Sequence, residues 1–210
     1  VSRGLGDVYK RQILQILDLA QIPLLAKERE RDMPFVIGGG PCTYNPEPLA
    51  DFFDLFYIGE GETSYDALLD LYKDWKKSDE SREVFLHQAA KIPGIYVPAL
   101  YEVSYKENGT LSSMEPVYDD IPRKIEKQVV TELTASVYPD KPVVPFLKVT
   151  QDRVVLEVQR GCIRGCRFCQ AGQLYRPVRE KSLETLKYYA TTMPVSYTHL
   201  RAHETLSDIV

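Results

Sequence analysis

The chain has 210 residues, 44% of them hydrophobic and 27% charged, with 26 Lys and Arg against 30 Asp and Glu. That balance excludes a fibrous or disordered chain and fits one large or two small globular domains. No apolar run approaches the roughly 20 residues of a membrane-spanning helix, and a formal charge of −4 gives no global field for nucleic acid, so RNA binding would need a local basic patch.

Clean helical spacing is expected to begin at Ile13. Residues 1–12 show neither helical nor strand periodicity, and residues 194–210 interrupt a helix that is still running. Both stretches resemble translated adapter read-through at the ends of reading frames assembled from environmental DNA, and they are set aside from the fold reading. His199 and His203 in the second stretch have the spacing of a helical metal pair, but Leu200 stands where a zincin motif carries its Glu.

Ile13, Leu14, Ile16, Leu17 and Ala20 share one broad helical face, and Pro23 should end that helix. Pro34–Gly40 reads as a buried strand breaking into three glycines, and Leu55–Ile58 as a second strand ending in Gly59-Glu60-Gly61-Glu62. Thr63 or Ser64 can cap a helix whose Tyr65, Leu68, Leu69, Tyr72 and Trp75 face inward. Strands alternating with helices through glycine turns argue a parallel sheet with its ligand edge at the carboxyl ends of the strands. Residues 13–93 are therefore expected to be part of an α/β, Rossmann-like domain. Gly94–Tyr105 alternates as a strand, Glu107-Asn108-Gly109 supplies a turn, and Thr110–Met114 returns as the second arm of a hairpin. Five prolines between Pro116 and Pro145 place the interdomain connection there, so 94–147 is expected as hairpin and linker and 148–193 as the start of a new domain.

Arg153–Gln159 reads as a strand, followed directly by Arg160-Gly-Cys-Ile-Arg-Gly-Cys-Arg-Phe-Cys169. Three of the four cysteines, Cys162, Cys166 and Cys169, crowd into this loop, which suits a reducing compartment, the cytoplasm, better than a disulfide scaffold. Glycines at 161, 165 and 172 permit the backbone to wrap three sulfurs around one small cluster, and three thiolates on a 4Fe-4S cluster leave one iron free for a substrate or cofactor. Structural zinc would need a fourth ligand, for which only the distant Cys42 is available, and Cys42 reads as a small packed residue. A thioredoxin-like pair would not need Cys162. Arg160, Arg164, Arg167, Arg176, Arg179 and Lys181 surround the loop; they either favour an anionic cluster or form a solvated rim for an acidic partner.

The spacing Cys162-x-x-x-Cys166-x-x-Cys169, with Phe168 before the last cysteine, resembles the radical S-adenosylmethionine (SAM) signature. The stretches VVLEVQRGCIRGCRFCQAGQLYRPVREKS and IGGGPCTYNPEPLADFFDLFYIGEGE are similar to radical SAM proteins with an N-terminal cobalamin-binding-like domain. The resemblance implies a fragment. It would hold part of a Rossmann-like cobalamin-binding-type domain, then the first strand, cluster loop and first helix of a partial TIM-like barrel, with Ser182 capping that helix. It further implies a cluster on Cys162, Cys166 and Cys169, SAM chelating the fourth iron, and Phe168 beside the adenine. A reductant such as flavodoxin or ferredoxin is expected, with hydrogen abstraction from a substrate the residues do not identify. Gly38, Gly39, Gly40 and Gly61 are what it offers toward cobalamin, against the alternative of tight turns with no ligand; the Asp-x-His-x-x-Gly ligand pattern is missing around His87, and cobalamin stays open. Methylthiolation of RNA or protein, and a non-catalytic iron-sulfur or zinc module, stand as alternatives. About 45 residues follow Lys148, against roughly 200 or more for a barrel, so the chain alone is not expected to turn over SAM efficiently.

Overall fold

The computed structural model describes residues 5–135, 138–139, 143, 154–193 and 200–203. The remainder of the two end stretches set aside above, and parts of the linker and of the second domain's start, including Pro142, Pro145, Lys148, Arg153 and His199, lie outside the described residues. The chain divides into two compact units, Val1–Val129 and Val130–Val210. Among the described residues no helix is long and apolar enough to cross a membrane.

In the first unit, helix α1 spans Leu5–Leu19, so it begins eight residues before Ile13. The three-and-four spacing in fact reaches back through Tyr9, Val8 and Leu5. Gln21 takes φ +56° and the Ile22 N–H donates to the Leu17 carbonyl at 2.9 Å, so the helix ends before Pro23 as its ring requires. Its buried face is narrower than expected: Leu17 is buried and Ile13 half-buried, whereas Ile16 is 61% exposed.

Strand β1 (Ile37–Gly38) pairs in parallel with β2 (Leu55–Tyr57), whose three residues are all buried. Strand β3 (Ile95–Tyr96) adds to the other side of β2, but antiparallel, which makes the expected parallel sheet a mixed one of order β1-β2-β3. The run Gly94–Tyr105 is not one strand. Pro98–Leu100 forms a short 3-10 turn that lifts the chain off β3, and Tyr101–Tyr105 (β4) pairs antiparallel with Leu111–Pro116 (β5) around Gly109 at φ +76°. Proline at 98 has no N–H to continue a ladder, which accounts for the break.

Helix α2 (Tyr65–Lys77) buries Leu68 and Trp75 and half-buries Tyr65 and Tyr72, while Leu69, expected inside, is 41% exposed. Ser64 precedes it without capping it through its side chain; the hydroxyl instead donates to the Pro93 carbonyl at 2.8 Å. Helix α3 (Arg82–Ala89) had no counterpart in the sequence reading; Ser81 caps it by accepting from the Val84 N–H at 3.4 Å. These elements enclose one core of Leu55, Phe56, Leu68, Trp75, Phe85 and Ile95 with Phe35 against it, the Phe35 and Phe85 rings lying 4.4 Å apart. At its edge Asp54 is buried between Arg29 (2.8 Å) and Arg82 (2.9 Å). The guanidiniums spend their other N–H groups on the carbonyls of Pro23, Leu24, Phe52, Met33 and Pro34, so neither buried charge lacks partners.

In the second unit, β6 (Val154–Glu157) runs parallel to β9 (Leu200–His203), which falls in the stretch set aside above, and β7 (Gln159–Arg160) pairs antiparallel with β8 (Arg179–Glu180). The single strand expected before the cysteines is therefore two, separated at Val158, whose carbonyl accepts the Lys181 N–H at 2.9 Å. Helices α4 (Ala171–Leu174) and α5 (Leu183–Thr192) follow; Ser182 caps α5 by accepting from the Thr185 N–H at 3.2 Å. Leu156 and Met193 are buried together against Tyr138, Tyr189 and Ala190.

Candidate metal centre

The cysteine loop leaves β7 at Gly161, which takes φ +97°. A Cβ there would lie 2.5 Å from the Tyr175 carbonyl and 2.9 Å from that of Pro177, so only glycine lets the outgoing chain pass the returning one. Gly172 at α4 plays the same part against the Arg164 carbonyl, 2.8 Å from where its Cβ would stand. Between these two points the Cys169 N–H donates to the Cys166 carbonyl at 3.1 Å, closing a tight turn, and the Arg164 N–H points at Cys162 Sγ at 3.4 Å. An N–H aimed at sulfur fixes the direction in which that sulfur is presented.

Cys162 and Cys169 are half-buried, Cys166 is exposed, and all three are free. Among the described residues no three His, Cys, Asp or Glu side chains are gathered into a metal-binding group, so the loop brings the three thiols along one turn without converging their sulfurs. In donor chemistry and backbone freedom they fit an iron-sulfur cluster: soft ligands on a glycine-framed, solvent-reachable loop, which binding itself would draw together. Cys42 is exposed and not packed as expected, because in the 3-10 turn Pro41–Tyr44 it is Thr43 that points inward.

On the loop, Phe168 is 93% exposed and Ile163 76%, and Arg164, Arg167 and Arg176 are exposed as well. Two of the six cations expected around the loop are interior. Arg179 is buried and donates to the carbonyls of Pro177 (2.9 Å) and Val130 (2.7 Å), and Lys181 is buried and donates to that of Leu133 (3.0 Å). Residues 179 and 181 share one face of an extended segment, a period-two signal that was present in the sequence. Arg160 is held by Glu157 at 2.6 Å.

The glycines upstream separate into different roles. Gly38 packs so closely that a Cβ would meet the Phe56 ring at 2.3 Å, whereas a Cβ at Gly39 or Gly40 would meet nothing within 4 Å. Gly38 and Gly39 line a cavity of about 430 Å³ with Ile13, Cys42, Thr43 and Phe56; Gly40 and Gly61 are not among its walls. The Thr43 hydroxyl ties the loop down by donating to the Gly40 carbonyl at 2.7 Å. A second cavity, about 550 Å³, opens beside Tyr96, whose hydroxyl donates to Glu47 at 2.6 Å; burial first, and then that carboxylate, push the phenol well above its ordinary pKa. His87 faces Asp120 at 2.9 Å, with Lys91 on the same carboxylate at 2.7 Å.

Residues 8–98 match the family model for radical SAM proteins, N-terminal. The match lies in the first unit, outside the cysteine loop, and together with the mixed α/β sheet it supports the radical SAM family. The chain is also 30% identical over 155 residues to an uncharacterized protein of Methanocaldococcus jannaschii, an alignment covering 73% of this chain and 27% of that protein. The chain thus spans about a quarter of the length of the curated relative it matches.

Proposed function

We propose that the chain is part of a radical SAM enzyme whose 4Fe-4S cluster is held by Cys162, Cys166 and Cys169. The observation that carries this reading is the trio of free thiols on a loop whose crossing point requires Gly161, in a chain whose residues 8–98 match the N-terminal family model. A cluster held by these three thiolates would supply the electron for reductive cleavage of the carbon-sulfur bond of SAM, with release of methionine, and so the chemistry for hydrogen abstraction from a substrate. The chain's own residues position. The three thiolates fix the cluster, the Arg164 N–H orients Cys162, and Phe168, with its ring in solvent, is available to an adenine. Exposed Arg164, Arg167 and Arg176 add positive charge that suits a thiolate-ligated cluster and the SAM carboxylate. An external one-electron donor of the flavodoxin or ferredoxin kind would reduce the cluster, and three cysteines crowded into one loop suit a reducing compartment such as the cytoplasm. Cobalamin forms no part of the proposal: of the four glycines that would border it, Gly38 and Gly39 alone line the cavity of about 430 Å³.

Metal analysis tests it. After anaerobic reconstitution the chain is expected to hold about four irons with sulfide, and Cys162→Ala, Cys166→Ala and Cys169→Ala are each expected to abolish that loading. One zinc and no sulfide would favour a non-catalytic zinc module.

A further inference from the structure

The inference rests on the cysteine-loop reading above and concerns what lies at the loop's base. Glu157, at the end of β6, meets two cations. Arg160 reaches it through Nε to Oε1 at 2.6 Å and Nη2 to Oε2 at 3.2 Å, and Lys181 Nζ stands 3.6 Å from Oε2. The Lys181 side chain is 1% exposed, that of Arg160 19% and that of Glu157 25%, so this carboxylate and its partners are screened by water far less than a surface pair. Arg160 ends β7 and Lys181 directly follows β8, the two strands that pair where the loop leaves and returns. Arg160 is also two residues from Cys162.

We propose that Glu157 is a positioning residue of the cluster site, clamping both ends of the cysteine loop through Arg160 and Lys181 and setting the net charge beside the bound cluster. Removing the carboxylate takes one negative charge from beside the cluster, and removing the Arg160 guanidinium takes one positive charge. A cluster becomes more negative on reduction, so positive charge nearby stabilises its reduced form and raises its potential. A residue that merely supported the fold would change how much cluster is retained, not the potential of the cluster that is.

The test is a redox titration of the full 210-residue chain, reconstituted anaerobically with iron and sulfide and followed by electron paramagnetic resonance. Glu157→Gln is expected to raise the midpoint potential of the bound cluster, and Arg160→Gln to lower it. Shifts of the same sign, or no shift in either variant, would overturn the proposal. Should Glu157→Gln fail to fold, the direction seen in Arg160→Gln decides alone. A wild-type chain that takes up no iron and sulfide is a different failure: it removes the cysteine-loop reading itself, and the clamp with it.

Discussion

Asp54 balances two buried guanidiniums at once and accepts from the Val36 N–H at 2.7 Å. Asp54→Ala would leave both cations uncompensated, which typically costs about 3–5 kcal/mol. The urea midpoint followed by circular dichroism should fall accordingly, and an unchanged midpoint would mean that the backbone carbonyls suffice. Asp120 is the opposite case, a solvent-exposed carboxylate held down at about 2, first by the hydrogen bond from Lys91 and then by that from His87. Its folded pKa lies below the roughly 3.9 of an unfolded Asp, so its contribution is complete above that value and disappears as pH falls through about 2. Asp120→Asn is therefore expected to melt below wild type at neutral pH, with the gap closing in acid. Neither arrangement was legible in the sequence. Arg29 and Arg82 stand 25 and 28 residues from Asp54, and no local spacing distinguishes a buried arginine from a wet one.

Individual elements were read well where one periodicity acts alone. The spacing of Leu68, Tyr72 and Trp75 is enough to place α2, and Ser182 marks the start of α5 without help from any tertiary contact. Capping shows where the reading falls short, because a serine before a helix has other donors and acceptors to choose from. Ser81 caps α3, so Ser81→Ala should cost on the order of 1 kcal/mol of stability in thermal melts. The bond is long at 3.4 Å, which favours the lower part of the usual range. Ser64 precedes α2 but bonds Pro93, and any loss there would come from that tertiary link. Strands were harder. Alternation carries straight through Gly94–Tyr105, and only Pro98 records that β3 and β4 serve different sheets.

At the level of the whole molecule, the cysteine spacing was explicit in the sequence, whereas the Glu157 network beneath it needed the pairing of β7 with β8 to bring residues 157 and 181 together. The chain covers 27% of its relative, and we expect that, incubated anaerobically with SAM and a chemical reductant, it forms 5′-deoxyadenosine no faster than a protein-free control. Sustained formation would show that the loop and its immediate supports suffice. Trp75 is the sole tryptophan, packed in the core of the first unit with its indole N–H on the Ser81 carbonyl at 3.0 Å, while the cysteines of the loop all belong to the second. Ultraviolet emission then reports on the first unit, and the absorbance of the proposed iron-sulfur cluster would report on the second. The order in which the halves come apart can be watched in a single cuvette without attaching a dye.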